Sequence, residues 1–275
     1  MKKTLLISLL LAGIALLIML YGLRVPKQDN VKVAISEHYL LLSEKGTGSF
    51  YLQLRQGAEA AANEKSAIVD LENMQSWNYS ELASKIKAKK FSGIIIYAEN
   101  EALIPNMIAL AKSANTPYVT VLWNNQEVNN LQMDDFQAGV LLGEMVKGYD
   151  EIIIEGNNPE RLEGLKSVFS NVIVNDASGT TEKNIAYVGL SADATQDIIE
   201  NYSGDCYGMD GGKNRSELLA QGKVKGLVCI SPYSLGFEAI QAFESKKAIK
   251  VSYHAVLQEE MYDAKNIKLV FPMLQ

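Results

Sequence analysis

Gly93-Ile94-Ile95-Ile96-Tyr97 is the stretch that decides the fold. It is continuously apolar, the pattern of a parallel strand covered on both faces rather than one with a wet side. Before it, an amphipathic helix is expected from about Ser80 to Lys90. Leu82, Ala83 and Ile86 form its buried stripe, and Lys85, Lys87 and Lys89 its solvated face. Further back come a strand at Ala67 to Leu71 and a helix at Phe50 to Glu64. That helix carries Phe50, Leu54, Gly57, Ala58 and Ala61 on one face at 3.6-residue spacing. Val31 to Ile35 reads as the first strand. On the other side, the helix Ala102 to Ala114 has Pro105 in its first turn, where a missing N–H does no harm. Pro117 then introduces a strand from Tyr118 to Trp123. Four strand-helix alternations in about 95 residues predict a doubly wound parallel sheet.

The rhythm resumes after Asp134-Asp135. A helix at Phe136 to Val146 leads to a strand at Glu151 to Glu155, and Asn158 caps a further helix that has Pro159 in its first turn. Strands are expected at Asn171 to Val174, Ile185 to Leu190, Asp205 to Tyr207 and Gly226 to Ile230. Helices are expected at Asp193 to Tyr202, Arg215 to Gln221 and Tyr233 to Ser245. The chain closes with apolar runs at Ile249 to Ala255 and Ile267 to Phe271. This is a second α/β unit, and the sequence shows no internal repeat or low-complexity tract.

The 275 residues carry a net charge of -6, which argues against a nucleic-acid partner because phosphate binding needs a basic surface. Thr4 to Leu23 bears no charge and, as a helix rising about 1.5 Å per residue, spans a hydrocarbon core of about 30 Å. Lys2 and Lys3 before it favour a cytoplasmic N-terminus and an external body, a signal that Arg24 and Lys27 weaken. A cleaved signal peptide is the competing reading, but no pair of small residues marks a cleavage site in Met19 to Pro26. No cysteine lies near this boundary for a lipid anchor. Cys206 and Cys229 both sit in strand-like runs and read as small core residues, with a disulfide between them left open.

Several stretches resemble the type I periplasmic sugar-binding proteins, the solute-binding family of ribose-binding protein. Gly48-Ser49-Phe50-Tyr51-Leu52-Gln53-Leu54-Arg55-Gln56-Gly57-Ala58 is similar to the family's first helix, which an aromatic pair opens. Ser92-Gly93-Ile94-Ile95-Ile96 and Thr116-Pro117-Tyr118-Val119-Thr120-Val121 resemble two of its strands. Asp134 with Gly139 and Gly143, Arg161 with Gly164, Tyr207-Gly208-Met209-Asp210-Gly211, Pro232 with Gly236, and Ile267 to Val270 follow in the family's order. No single element is specific; order and spacing over almost the whole body carry the likeness.

The resemblance implies an α/β type I periplasmic binding fold, two Rossmann-like lobes with parallel sheets joined by three crossings. Residues 1–27 would be a transmembrane signal-anchor and linker. The first lobe would be 30–133, completed by about 232–258, and the second 134–231, completed by about 259–275. A small ligand would bind in the cleft and a hinge would close over it. Phe50 and Tyr51 match the aromatic pair that stacks on sugar, and Asp134 and Asp210 match carboxylates that can accept paired hydroxyl hydrogen bonds. Arg161 matches an arginine near the cleft. Each has a bland alternative: Phe50 as a first core residue, Asp134 as a helix N-cap, Asp210 as a turn former, Arg161 as a solvated first-turn charge. Trp123 stands near where many relatives place an Asp-Arg pair, and Ile230 near where they carry a Gln, so a ribose-like specificity is not implied. Asn175 to Asn184 has no apolar stripe, so a loop is expected where relatives insert a helix.

Catalytic chemistry is not legible. His38 and His254 have no metal-ligand spacing around them, and no P-loop, G-x-S-x-G or G-x-G-x-x-G occurs. Gly46-Thr47-Gly48-Ser49 could offer backbone N–H groups to an anion, a weak signal alone. No cofactor, metal or enzymatic activity is expected. The expected protein is a membrane-tethered, extracytoplasmic binder of a small polar ligand of the carbohydrate class. It would serve an ABC permease or a membrane sensor kinase, or be secreted if its leader is cleaved. The alternative is a degenerate, ligand-independent interaction module on the same fold. A DNA-binding repressor is excluded, because an apolar segment stands where a headpiece would be.

Overall fold

Leu40, Leu41 and Leu42 are all fully buried, although neighbouring strand residues point to opposite faces. A strand buried on both sides requires a layer of helices on each, and the chain supplies them. The computed structural model describes residues 37–76, 78–122, 131–174, 184–209, 215–245, 248–263 and 265–267. The apolar segment at 4–23, the run at 31–35, Trp123, Asp210, the stretch 175–183 and the closing run beyond residue 267 lie outside them.

The first sheet contains β1 (His38–Ser43), β2 (Ile68–Asn73), β3 (Gly93–Tyr97) and β4 (Tyr118–Thr120), in the order β2-β1-β3-β4 and all parallel. The sequence reading puts the first strand at 31–35. That run lies outside the described residues, and the first strand among them is His38–Ser43. On one face, Leu40, Leu42, Ile94 and Ile96 pack against α2 (Tyr79–Lys89) and α3 (Ile104–Ser113) through Leu82, Ile86, Met107 and Leu110. On the other, Tyr39, Leu41 and Ile95 meet α1 (Ser49–Glu64) and α8 (Pro232–Ala242) through Leu54, Ala58 and Leu235.

The second sheet has six strands in the order β12-β10-β9-β8-β6-β7. These are β6 (Glu151–Glu155), β7 (Val172–Val174), β8 (Ile185–Gly189), β9 (Asp205–Met209), β10 (Gly226–Ile230) and β12 (Tyr253–Leu257). Only β12 runs antiparallel. One face is covered by α4 (Asp135–Met145) and α5 (Pro159–Val168), and the other by α6 (Ala192–Asn201) and α7 (Arg215–Ala220). A short parallel pair, β5 (Leu131–Met133) with β11 (Ile249–Val251), lies where the chain passes between the two sheets.

Two boundaries differ from expectation. The run Ile249 to Ala255 is two strands broken at Ser252, and β12 pairs with β10 in the second sheet. The return of the chain to the first lobe therefore ends near Val251, not near 258. The strand β5, three residues long, had no sequence signal of its own.

The sequence carries no repeat, yet the packing does. Helices α1 and α8 touch backbone to backbone: a Cβ on Gly57 would lie 1.9 Å from the Tyr233 carbonyl oxygen, and one on Gly236 1.9 Å from that of Leu54. Helices α4 and α5 do the same, with 1.9 Å from Gly139 to the Arg161 oxygen and 2.0 Å from Gly164 to that of Phe136. In both pairs the helix that follows a crossing carries its glycine fifth, and its N-cap accepts from the N–H three residues on. Asp134 takes the Gln137 N–H at 3.1 Å, and Ser231 the Ser234 N–H at 3.2 Å. These are the glycines that carry the family resemblance, and backbone contact explains why that residue type stands there.

Candidate functional site

In open α/β sheets, ligands collect beyond the carboxyl ends of the strands. At that end of the first sheet, Ser43 closes β1 and Tyr97 closes β3, and the turn 44–48 leads into α1. Phe50, the second residue of α1, is partly buried and stacks on Tyr97 with ring centroids 4.9 Å apart and planes at 18°. Tyr51 turns inward instead. It is 4% exposed, belongs to the main apolar core, and is hydrogen-bonded to Ser43, while burial raises its phenol above the ordinary value. Glu44 accepts the Asn100 N–H at 3.0 Å with its side chain 12% exposed, and Lys45 lies 3.6 Å away. Burial, then Glu99 and Glu44, hold the Tyr97 phenol protonated well above its usual range. Ser43, Glu44, Lys45, Tyr51, Tyr97 and Glu99, with the turn at Gly46-Thr47, line a cavity of about 10 Å³, room for about one water.

At the same end of the second sheet, Arg161 is the hub. It sits in the first turn of α5 because Asn158 caps that helix, accepting the Arg161 N–H at 3.0 Å. Its Nε and Nη2 donate to Asp135 Oδ1 at 2.9 and 2.7 Å, and Nη1 donates to the Leu190 carbonyl, just past β8, at 2.7 Å. Nη2 also donates to the Tyr253 hydroxyl at 3.0 Å, and the guanidinium stands 5.6 Å from the centroid of that ring. Asp135 is engaged through both of its oxygens. Its Oδ1 further accepts the Tyr253 hydroxyl at 3.1 Å, and its Oδ2 accepts the Asn158 amide at 3.3 Å. Tyr253 is fixed by its backbone as well: its N–H donates to Gln137 Oε1 at 2.9 Å, and its carbonyl accepts Gln137 Nε2 at 3.4 Å.

Of the six residues singled out from sequence, the structure describes four. Phe50 and Arg161 stand at strand-end positions with polar or aromatic partners. Tyr51 is a core residue. Asp134 caps α4, and its carboxylate also has Lys250 at 3.8 Å. The carboxylate that meets Arg161 is its neighbour Asp135. Glu44, Asp135 and Tyr253 were missed, and only the adjacent Asp134-Asp135 pair offered a signal. Among the described residues no group of three histidines, cysteines or carboxylates is placed to hold a metal, and no helix is long and apolar enough to cross a membrane.

No family model and no curated protein matches this chain. Solved structures do. A XylFII-LytSN complex gives a TM-score of 0.61 at 21% identity, covering 82% of this chain and 99% of that one. A protein from Brachyspira murdochii described as "ABC transporter, LacI family transcriptional regulator" gives 0.56 at 17%, covering 86% and 98%. A solute-binding protein of an ABC transporter from Agrobacterium vitis, bound to α-D-tagatopyranose, gives 0.52 at 14%, covering 85% and 99%. At these identities the likeness is one of fold, and the chain has the type I periplasmic-binding fold that sugar-binding proteins of ABC transporters share.

Proposed function

We propose that this chain is an extracytoplasmic solute-binding protein, held at a membrane by its N-terminal apolar segment, that takes a small polar ligand of the carbohydrate class between its two sheets. The observation that carries the reading is the pairing of unlike walls at the carboxyl ends of the strands. The Phe50–Tyr97 stack offers an apolar ring face, and the Arg161–Asp135–Tyr253 cluster offers oriented polar groups. Sugar sites need that combination, since a pyranose has an apolar C–H face and a rim of hydroxyls. Phe50 and Arg161 are the proposed contacts, with Asp210 added by resemblance and Trp123 for the broad apolar face it brings where relatives carry an Asp-Arg pair. The ligated form would be presented to an ABC permease or a membrane sensor. The test is a thermal-shift and tryptophan-fluorescence screen against a broad sugar panel; no response to any member would overturn the carbohydrate assignment.

A second reading, a ligand-independent interaction module, is favoured by the inward turn of Tyr51 and the cavity of about 10 Å³ beside it. It predicts that mass spectrometry of small molecules released from the native protein finds none at stoichiometric amounts.

A further inference from the structure

A guanidinium has five N–H groups, and a mobile arginine at a binding wall would offer a paired fork to a carboxylate or phosphate. Arg161 cannot. Two of its N–H groups are on Asp135, one is on the Leu190 carbonyl and one is on Tyr253, which leaves a single N–H on Nη1. Its charge is balanced as well, because Asp135 is an ion-pair partner at 2.7 Å with both side chains mostly buried (16% and 23% exposed). The opposite wall adds no positive field. Glu44 and Glu99 stand beside Tyr97, and the cations nearby, Lys45 and Lys250, each lie next to a carboxylate, Glu44 and Asp134. Arg215, which opens α7 beyond the end of β9, has an interaction partner of its own, so among the described residues none of these strand-end cations stands without one.

We propose that Asp135 is the specificity-determining residue of this site: by taking the Arg161 fork it restricts the ligand to neutral or cationic polyols and excludes uronic acids and sugar phosphates. This rests on the solute-binding reading above and deepens it. A neutral hydroxyl needs one donor and one acceptor, which the remaining Nη1 N–H and the surrounding oxygens can supply. An anion would lose its water and find a charge already neutralised, so its desolvation would go uncompensated.

The experiment uses the full-length chain in a detergent without a sugar head group, titrated calorimetrically with neutral aldopentoses and aldohexoses and with the matching uronic acids and sugar phosphates. The wild type is expected to bind neutral members only. Asp135→Asn keeps the shape of the carboxylate but frees the guanidinium charge, and should raise affinity for the acidic members at least tenfold. Tyr253→Phe frees one N–H yet keeps the ion pair, so it should give no such gain. Melting curves establish that both variants are folded. Wild-type binding of an acidic sugar within tenfold of its neutral counterpart overturns the inference, as does an equal gain in Tyr253→Phe. No gain in folded Asp135→Asn, with neutral sugars still bound by the wild type, overturns it while the solute-binding reading stands. A complete lack of sugar binding by all three proteins overturns both.

Discussion

Tyr39, Tyr97 and Tyr149 are three phenols with one fate. Burial comes first in each case, and carboxylates add to it: Glu37 at Tyr39, Glu99 and Glu44 at Tyr97, Asp205 at Tyr149. All three are held protonated above the ordinary value of 10. Above that pH the unfolded chain releases these protons and the folded one retains them, so stability falls as pH rises. The contribution is full below about pH 10 and drains away as the pH climbs toward the raised values. Phenolate absorbance at 295 nm should therefore lag in the native protein and appear together with loss of circular dichroism on alkaline unfolding. The cysteines give a second expectation. Cys206 and Cys229 are buried and not joined in a disulfide, and burial, then Asp205, raises the Cys206 thiol, which lowers its thiolate fraction. Iodoacetamide at neutral pH should label neither in the native state and both in guanidinium without reductant. Unlabelled thiols after unfolding would reveal a disulfide. At this scale the site was only half legible. Two adjacent aspartates look alike in sequence, and which one caps the helix and which meets Arg161 depends on where α4 starts.

Elements were easier to read where burial is two-sided. Gly93–Tyr97 and Gly226–Ile230 begin and end where their apolar runs do, and Glu151–Glu155 adds one partly buried glutamate at each end of its run, because a parallel strand between helix layers is apolar on both faces. Short strands made by tertiary pairing escaped: Leu131–Met133 exists because Ile249–Val251 pairs with it. The helix glycines were read as family landmarks, and the structure supplies their physics. Gly57→Ala or Gly139→Ala would drive a methyl into a partner carbonyl that cannot move without shifting its helix, a cost of about 3 kcal/mol at the upper end of overpacking. Gly148→Ala meets nothing within 4 Å and should be neutral or stabilise by about 0.5 kcal/mol. Urea denaturation of the three variants tests the contrast; equal stability at Gly57, Gly139 and Gly148 would show that the helix pairs are not in contact.

For the whole molecule, the doubly wound architecture was legible because the strand-helix rhythm runs its full length. The allocation of the last strands was not, since a break at Ser252 depends on which sheet accepts the chain. The proposed tether belongs to this scale. A chain beginning at Asn30 should move from the membrane pellet to the soluble fraction while keeping the melting temperature of the full chain; retention in the pellet would dissociate the apolar run 4–23 from membrane attachment. The glycine-locked helix pairs also set an order of assembly. In the second lobe, Gly139 and Gly164 are close in sequence, so α4 and α5 can lock as soon as both have left the ribosome. In the first, α1 must wait for α8, synthesised after the whole second lobe, which at 5–20 residues per second is a delay of about 10–30 s. Through that interval the face bearing Leu54, Ala58 and Gly57 has no partner helix. The lobe made first is thus completed last, and a nascent chain stalled before residue 232 exposes an apolar stripe that a chaperone would hold.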